Sequence, residues 1–260
     1  MLSCVSFVDN SKAYDTVDSA EVFGKSGKAF GRFQKYLSDF PAESLSEIIK
    51  NFHNTIWRYE NEFIPAVQAD KADRAVNCGE EIKFVMHRRE DCKKLVELIE
   101  KGELPLRVTH NDTKLNNVLF DSESDDAICV IDLDTVMPGL ALYDFGDSIR
   151  FGANSCAEDD DNYDKVELML DYFEAYAKGF LSEAGDALNQ CEIDNLAFSA
   201  KLMTFECGMR FLTDYLNGDT YFKTAYPEHN LVRAKNQFAL VADMERKMEQ
   251  MQQIIKNITK

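Results

Sequence analysis

The sequence predicts a mainly helical α+β fold with one short β-hairpin set among the helices. Three observations carry that reading. Apolar residues recur at helical spacing over most of the 260 residues. Strand-like runs are confined to about 105–140, where Val118-Leu119-Phe120 and Ile128-Cys129-Val130-Ile131 flank a polar turn at 122–126. The hairpin directly follows His110-Asn111-Asp112-Thr113-Lys114-Leu115-Asn116-Asn117, an H-x-D-x-x-x-x-N octamer.

The elements follow in order. Residues 20–39 carry a helical stripe of Phe23, Phe30, Phe33 and Leu37. Gly24, Gly27 and Gly31 lie within it, as small residues for close packing and not as a phosphate cradle. Residues 44–69 read as a second helix, with Pro65 near its end. Residues 78–101 read as one charged amphipathic helix stopped by Gly102. Leu106-Arg107-Val108 enters the octamer as an extended stretch. A helix over about 144–152 opens on Asp144, read as its N-cap. Helices are expected near 163–183 and 192–217. The last, about 230–258, has Leu231, Phe238, Val241, Met248, Met251 and Ile255 on one stripe. Its methionines read as packing residues. The chain shows no repeats and no low-complexity linker.

The octamer's spacing suits phosphoryl transfer. Asp112 is placed to accept the proton of an attacking hydroxyl. Asn117, five residues on, offers a neutral oxygen to Mg²⁺, and Asp132, just after the second strand, offers an anionic one. Asp134 is a second metal candidate if the strand continues, and otherwise a solvated carboxylate. The literal Asp144-Phe145-Gly146 lies too far downstream to be the metal turn. His110 is read as structural, hydrogen-bonded to hold the loop. His53, His87 and His229 are isolated and are assigned surface or core roles. Glu158, Asp159, Asp160, Asp161 and Asp164 lack the alternation and Gly of a calcium loop, and read as a solvated loop. Glu206, Arg210 and Asp214 share a helix face at i, i+4 and i+8. They form either a salt-bridge ladder or a set of fixed polar groups for a ligand.

Asp112, Asn117, Asp132 and the helix at Asp144 resemble the aminoglycoside phosphotransferase and choline kinase-like superfamily, whose fold is protein-kinase-like. Within it, RVTHNDTKLNNVLFD, ICVIDLDTVMPGLALYDFGDSIRFGA and KLMTFECGMRFLTDYLNGD are similar to the bacterial N-acetylhexosamine 1-kinases. The resemblance runs from about Phe7 to the C-terminus and is densest over 104–153 and 198–224. It implies Mg²⁺ and ATP as cofactors. It also implies transfer of the γ-phosphate to the anomeric hydroxyl of N-acetylglucosamine or N-acetylgalactosamine. The Arg of CGMR and the Tyr of GD-x-YF, here Arg210 and Tyr221, would contact the sugar, with Glu206 beside them and Asp112 at the reacting hydroxyl.

One departure is large. The phosphate-covering loop and strand Lys of a nucleotide lobe have no counterpart here. The expectation is a C-terminal lobe: residues 1–10 as hinge and last strand of a missing N-terminal lobe, with Leu2 to Val8 as that strand, and 11–260 as the catalytic and substrate lobe. Such a chain should fold, bind ATP poorly, and expose an apolar strand edge that offers a seat for a homodimer. The alternative is a catalytically silent lobe that binds sugar or a partner. A sulfatase is excluded because no Cys or Ser stands two residues before a Pro.

Composition sets the remaining bounds. A net charge of −17 disfavours nucleic acid and anionic membranes as partners. No apolar run spans a membrane, and no charged n-region with a long apolar stretch marks a signal peptide. Seven cysteines without a C-x-x-C pair point to free thiols and a cytoplasmic location.

Overall fold

The computed structural model describes residues 7–17 and 19–260. Among these, the fold is mainly α with two small antiparallel sheets. Strand β1 (Ser11–Lys12) leads to helix α1 (Ala20–Tyr36), which Ser19 caps by accepting from the Val22 amide. Then come α2 (Thr55–Arg58), a π-turn (Tyr59–Phe63), α3 (Ile64–Ala69), α4 (Gly79–Met86) and α5 (Arg89–Glu100). The site segment holds β2 (Arg107–Thr109), β3 (Val118–Asp121), β4 (Ala127–Val130) and β5 (Met137–Gly139). Helices α6 (Ala141–Gly152), α7 (Leu170–Ala184), α8 (Gln190–Asn217) and α9 (His229–Ile258) complete the chain.

The predicted hairpin is present. β3 and β4 pair with Val118 opposite Val130 and a bulge at Leu119/Phe120. β1 adds to the outside of β3. The strand expected at Leu2 to Val8 lies mostly outside the described residues. Phe7 and Val8 are not in a strand, and the chain joins the sheet at Ser11. β2 and β5 form a separate ladder that brackets the octamer and the turn after the hairpin.

Several helices are shorter than their periodicity suggests, each for a local reason. Residues 45–54 are irregular: Asn51 takes a left-handed φ of 55°, and the Asn54 side chain accepts from the Trp57 amide, so the helix starts only at Thr55. The wide turn at 59–63 accommodates Pro65, which has no N–H and crowds the preceding turn. The 78–101 helix breaks at His87–Arg88. Arg88 there makes a bidentate pair with Glu245 of α9 and donates to the Phe84 carbonyl. The 163–183 helix starts at Leu170, because Leu168 bridges to Asn154 and its amide donates to Asp243.

The apolar stripes close two adjoining cores. The larger gathers Phe23, Phe30, Phe145, Phe173, Tyr176 and Phe180. The smaller gathers Tyr59, Phe63, Phe205, Met209 and Phe238. Helices α8 and α9 contribute to both. The glycine face of α1 packs on α7 as expected: a Cβ at Gly31 would stand 2.3 Å from the Phe180 carbonyl oxygen, and one at Gly27 2.5 Å from that of Tyr176.

Gly31→Ala should therefore force the two helices apart and cost about 1–3 kcal/mol in chemical denaturation. Gly185→Ala, with nothing within 4 Å of the added atom, should stay within about 0.5 kcal/mol of the parent. Equal effects at the two positions would refute the close-packing role.

Candidate active site

The octamer is held from below by the first two turns of α6. Asp144 does not cap this helix. The helix begins at Ala141, three residues earlier than expected, and Asp144 lies fully buried inside its first turn. Its carboxylate accepts from the main-chain N–H of His110 (2.9 Å) and of Asn111 (2.8 Å), and from Gln34 of α1 (2.8 Å). Burial pushes this carboxyl above the usual range, against the pull of His110 and of the three donated bonds. Thr113 donates its hydroxyl to the Asp144 carbonyl (2.6 Å) and its amide to Asp147 (3.2 Å). Ser148 donates to the Thr113 carbonyl, and Tyr176 donates to Ser148.

His110 has the bonds of a structural residue. Its ring packs edge-on against Phe30 and Phe33, Nε2 donates to the Ile131 carbonyl (2.9 Å), and Nδ1 accepts from the Asp112 amide (3.3 Å). Those partners assign the proton to Nε2. Asn111, in a left-handed conformation at φ 65°, ties the loop to Thr109 and Thr135.

Asp112 thus stands at the loop's tip on a fixed backbone. Asn117 Nδ2 donates to the Asp112 carbonyl (2.8 Å) and to its carboxylate (3.1 Å). The amide is thereby oriented with Oδ1 left as an acceptor. The Ile131 amide donates to the Asn117 carbonyl, which sets Asp132 one residue past this bond, exposed and at φ 60°. Asn117 Oδ1 and the Asp132 carboxylate are the types of oxygen donor that would suit a hard divalent cation. Asp134 sits in a 3-10 turn (Leu133–Thr135) and not on an extended strand, so the alternation argument for it fails. No group of three or more His, Cys, Asp or Glu placed for a metal occurs among the described residues.

Asp112, Glu206, Arg210 and Tyr221 line one cavity of about 460 Å³. The salt-bridge ladder does not form. Asp214 accepts the amides of Thr220, Tyr221 and Phe222 and the side chain of Asn230. Glu206 is fully buried and accepts from His53 Nδ1 (2.8 Å) and Thr55 Oγ1 (2.5 Å). Each oxygen has one donor, and Glu206 holds His53 in the wall of the same cavity. Arg210 pairs with neither carboxylate. Its guanidinium lies over Phe52 (5.3 Å), Tyr221 (5.8 Å) and Phe222 (5.5 Å).

Several residues of this cavity escaped the sequence reading. Lys114 contacts Asp112 at 2.9 Å. Burial works to lower the Lys114 ammonium, but the charge and hydrogen bond of Asp112 win, and its pKa is raised. Asp147 pairs with Arg150 (2.9 Å), which also pairs with Glu158 (2.5 Å). Burial would raise Asp147, but Arg150 and Lys114 hold it below the usual carboxylate range. Glu158 is therefore a wall residue and not merely part of a solvated loop. His53 is likewise neither isolated nor idle. Lys114, inside the octamer, was the most findable of these. The others meet only through tertiary packing.

The chain belongs to the APH family of phosphotransferase enzymes, which it matches over residues 3–179. Its fold is similar to that of an ethanolamine kinase from Plasmodium vivax, at 17% identity and TM-score 0.57, covering 89% of this chain and 64% of that one. It is similar to a microcompartment-associated aminopropanol kinase, at 17% identity and TM-score 0.57, covering 94% and 67%. A choline kinase from Cryptosporidium parvum matches at 15% identity and TM-score 0.57, covering 97% and 72%. The chain thus spans less than two thirds of the ethanolamine kinase's length. No helix among the described residues is long and apolar enough to cross a membrane. Their six cysteines are all free.

Two measurements follow. Asp144→Ala should leave the His110 and Asn111 amides buried and unpaired, costing on the order of 3 kcal/mol in denaturant melts. A loss under 0.5 kcal/mol would remove Asp144 as the loop's anchor. Glu206 is the pH-sensitive joint. Burial would raise its pKa, but His53, Arg58 and Thr55 outweigh burial and depress it. Its stabilisation is therefore full above an unfolded value of about 4.3 and is lost as pH falls through the lower folded value. Glu206→Gln should melt below the parent at pH 7, and the gap should narrow toward pH 3. A gap constant across that range would contradict this assignment.

Proposed function

We propose that the chain is the catalytic and substrate lobe of a sugar 1-kinase that moves the ATP γ-phosphate to the anomeric hydroxyl of an N-acetylhexosamine. Asp112 takes the proton from that hydroxyl as it attacks. Lys114, 2.9 Å away, holds the carboxylate in place. Asn117 Oδ1 and Asp132 hold Mg²⁺, which when bound neutralises charge on the transferring phosphate. Asp134 is kept as a more distant candidate. Arg210 and Tyr221 fix the sugar across the cavity from Asp112.

The observation that carries the sugar reading is Arg210. It presents guanidinium donors, paired with neither carboxylate of its own helix face, in the same cavity as the proposed base. An amino alcohol of the kind named for the similar structures would bring a cation against that guanidinium. A neutral polyol with an amide brings acceptors instead.

A second reading, a lobe that binds sugar without ATP chemistry, has its own support. Lys12, on strand β1, is tied to Asp125 at 2.7 Å rather than being available to a nucleotide. Residues 1–10 are assigned to the hinge and 11–260 to this lobe. A homodimer through the N-terminal edge is a further expectation, and gel filtration with light scattering tests it.

The direct test offers Mg-ATP with N-acetylglucosamine, N-acetylgalactosamine, ethanolamine, choline and aminopropanol, and reads product phosphate by ³¹P NMR. Turnover of a hexosamine at the anomeric position is expected, and Asp112→Asn should lower it by about 10²–10⁴-fold with little change in melting temperature. Amino-alcohol turnover without sugar turnover would sink the sugar reading. Sugar binding with no turnover, and no melting shift at micromolar Mg-ATP, would favour the silent lobe.

A further inference from the structure

The wall of the catalytic cavity runs against the charge of the whole molecule. The chain carries −17, yet five cationic side chains line this cavity against four carboxylates. The pairing is uneven as well. Asp112 is matched by Lys114, and Asp147 and Glu158 by Arg150. Glu206 is taken by His53 and Thr55. Arg210, Lys223 and Arg233 have no carboxylate partner among the described residues.

Those three cations are built into one wall. The rings of Phe211 and Phe222 lie 4.6 Å apart. Arg210 lies over Phe222 at 5.5 Å, and Arg233 lies over Phe211 at 5.5 Å. The aromatic pair therefore carries a guanidinium at each ring. A stacked guanidinium keeps its N–H donors at the rim of its plane, where an oxyanion can accept them. Arg233 Nη1 also donates to the Lys223 main-chain carbonyl (3.1 Å), and Lys223 lines the same cavity. Arg233 Nε is buried and finds no acceptor among the described residues. A buried donor left unmade is costly, and a ligand oxygen would recover that cost. Like charges gathered without counter-charge are also unfavourable, and a bound anion relieves this.

The geometry points to an oxyanion subsite at Arg210, Lys223 and Arg233, so that the preferred acceptor is a hexosamine bearing an acidic substituent, phosphate or carboxylate, away from its reacting hydroxyl. The inference rests on the sugar-acceptor reading. The neutral sugar satisfies Arg210 alone, whereas an acidic substituent also engages Lys223 and Arg233. The anomeric oxygen goes to Asp112, so the acidic group belongs at the opposite edge of the ring. A phosphate has a second source, the transferred group itself, and the two are separable by the position of the phosphate on the sugar.

The experiment is isothermal titration of the full chain at low ionic strength with N-acetylglucosamine, its 6-phosphate, its 1-phosphate and inorganic phosphate. The 6-phosphate should bind on the order of 10-fold or more tightly than the neutral sugar. The advantage should shrink in about 0.5 M salt, where charges are screened over a few ångströms. In Arg233→Gln and Lys223→Gln the ratio of the two affinities should fall toward one. The proposal is overturned if the two sugars bind equally, if the ratio survives both substitutions, or if the 1-phosphate alone gains. Inorganic phosphate binding that Arg233→Gln abolishes, with no neutral sugar binding, would keep the anion subsite and remove the sugar reading. Silence from all four probes would remove both.

Discussion

The site depends on one buried carboxylate. Asp144, within the first turn of α6, accepts the backbone amides of His110 and Asn111 and the side chain of Gln34. It joins three elements that are distant in the chain: α1, the loop after β2, and α6. A backbone amide buried without a partner is costly, so these bonds leave the loop few alternatives. The left-handed Asn111 is tolerated for the same reason: both sides of it are pinned. The proposed base is carried on that pinned backbone. Asp112 follows directly, Thr113 is tied back to α6, and Asn117 is positioned by its bonds to Asp112.

The same helix serves two faces of the site. Its buried side grips the loop through Asp144 and Ser148. One turn further on, Asp147 receives the Thr113 amide and pairs with Arg150, which reaches into the cavity and takes Glu158. The literal Asp-Phe-Gly string in this helix is thus neither a metal turn nor a cap. Phe145 packs edge-on with Phe173, Tyr176 and Phe180, locking α6 to α7. Because α7 is held against α1 by the glycine face, the rigidity at Asp112 is continuous with the large core.

What was legible in the sequence was local. The octamer and hairpin fixed the positions of Asp112, Asn117 and Asp132, because their spacing is set by a few residues of backbone. The glycine face of α1 was readable because three small residues recur at helical spacing among phenylalanines. What was not legible depended on distant partners. Asp144 looks like a cap from its neighbours, and only its partners 33 and 34 residues upstream show otherwise. His53 looked isolated because Glu206 is 153 residues away. The helical spacing of Glu206, Arg210 and Asp214 suggested mutual pairing. Spacing shows who shares a face, but not what the facing elements offer, and His53 and the Thr220–Phe222 amides outcompete Arg210 for the two carboxylates. Helix ends failed likewise, since Arg88 and Leu168 are pulled out of helix by α9.

That competition explains the chemical character of the cavity. Two carboxylates that could have neutralised Arg210 are drawn into the protein by stronger local donors, and the guanidinium is left on aromatic faces. Arg233 is left in the same way on Phe211. Aromatic rings hold a cation in place without cancelling its charge, so the wall stays both rigid and positive. Lys114 and Arg150, by contrast, are balanced by Asp112, Asp147 and Glu158 near the loop. The cavity is therefore polarised, with the proposed base among matched charges and the α8–α9 side presenting surplus donors. Such a field draws the electron-rich edge of a ligand toward the arginines before any contact is complete.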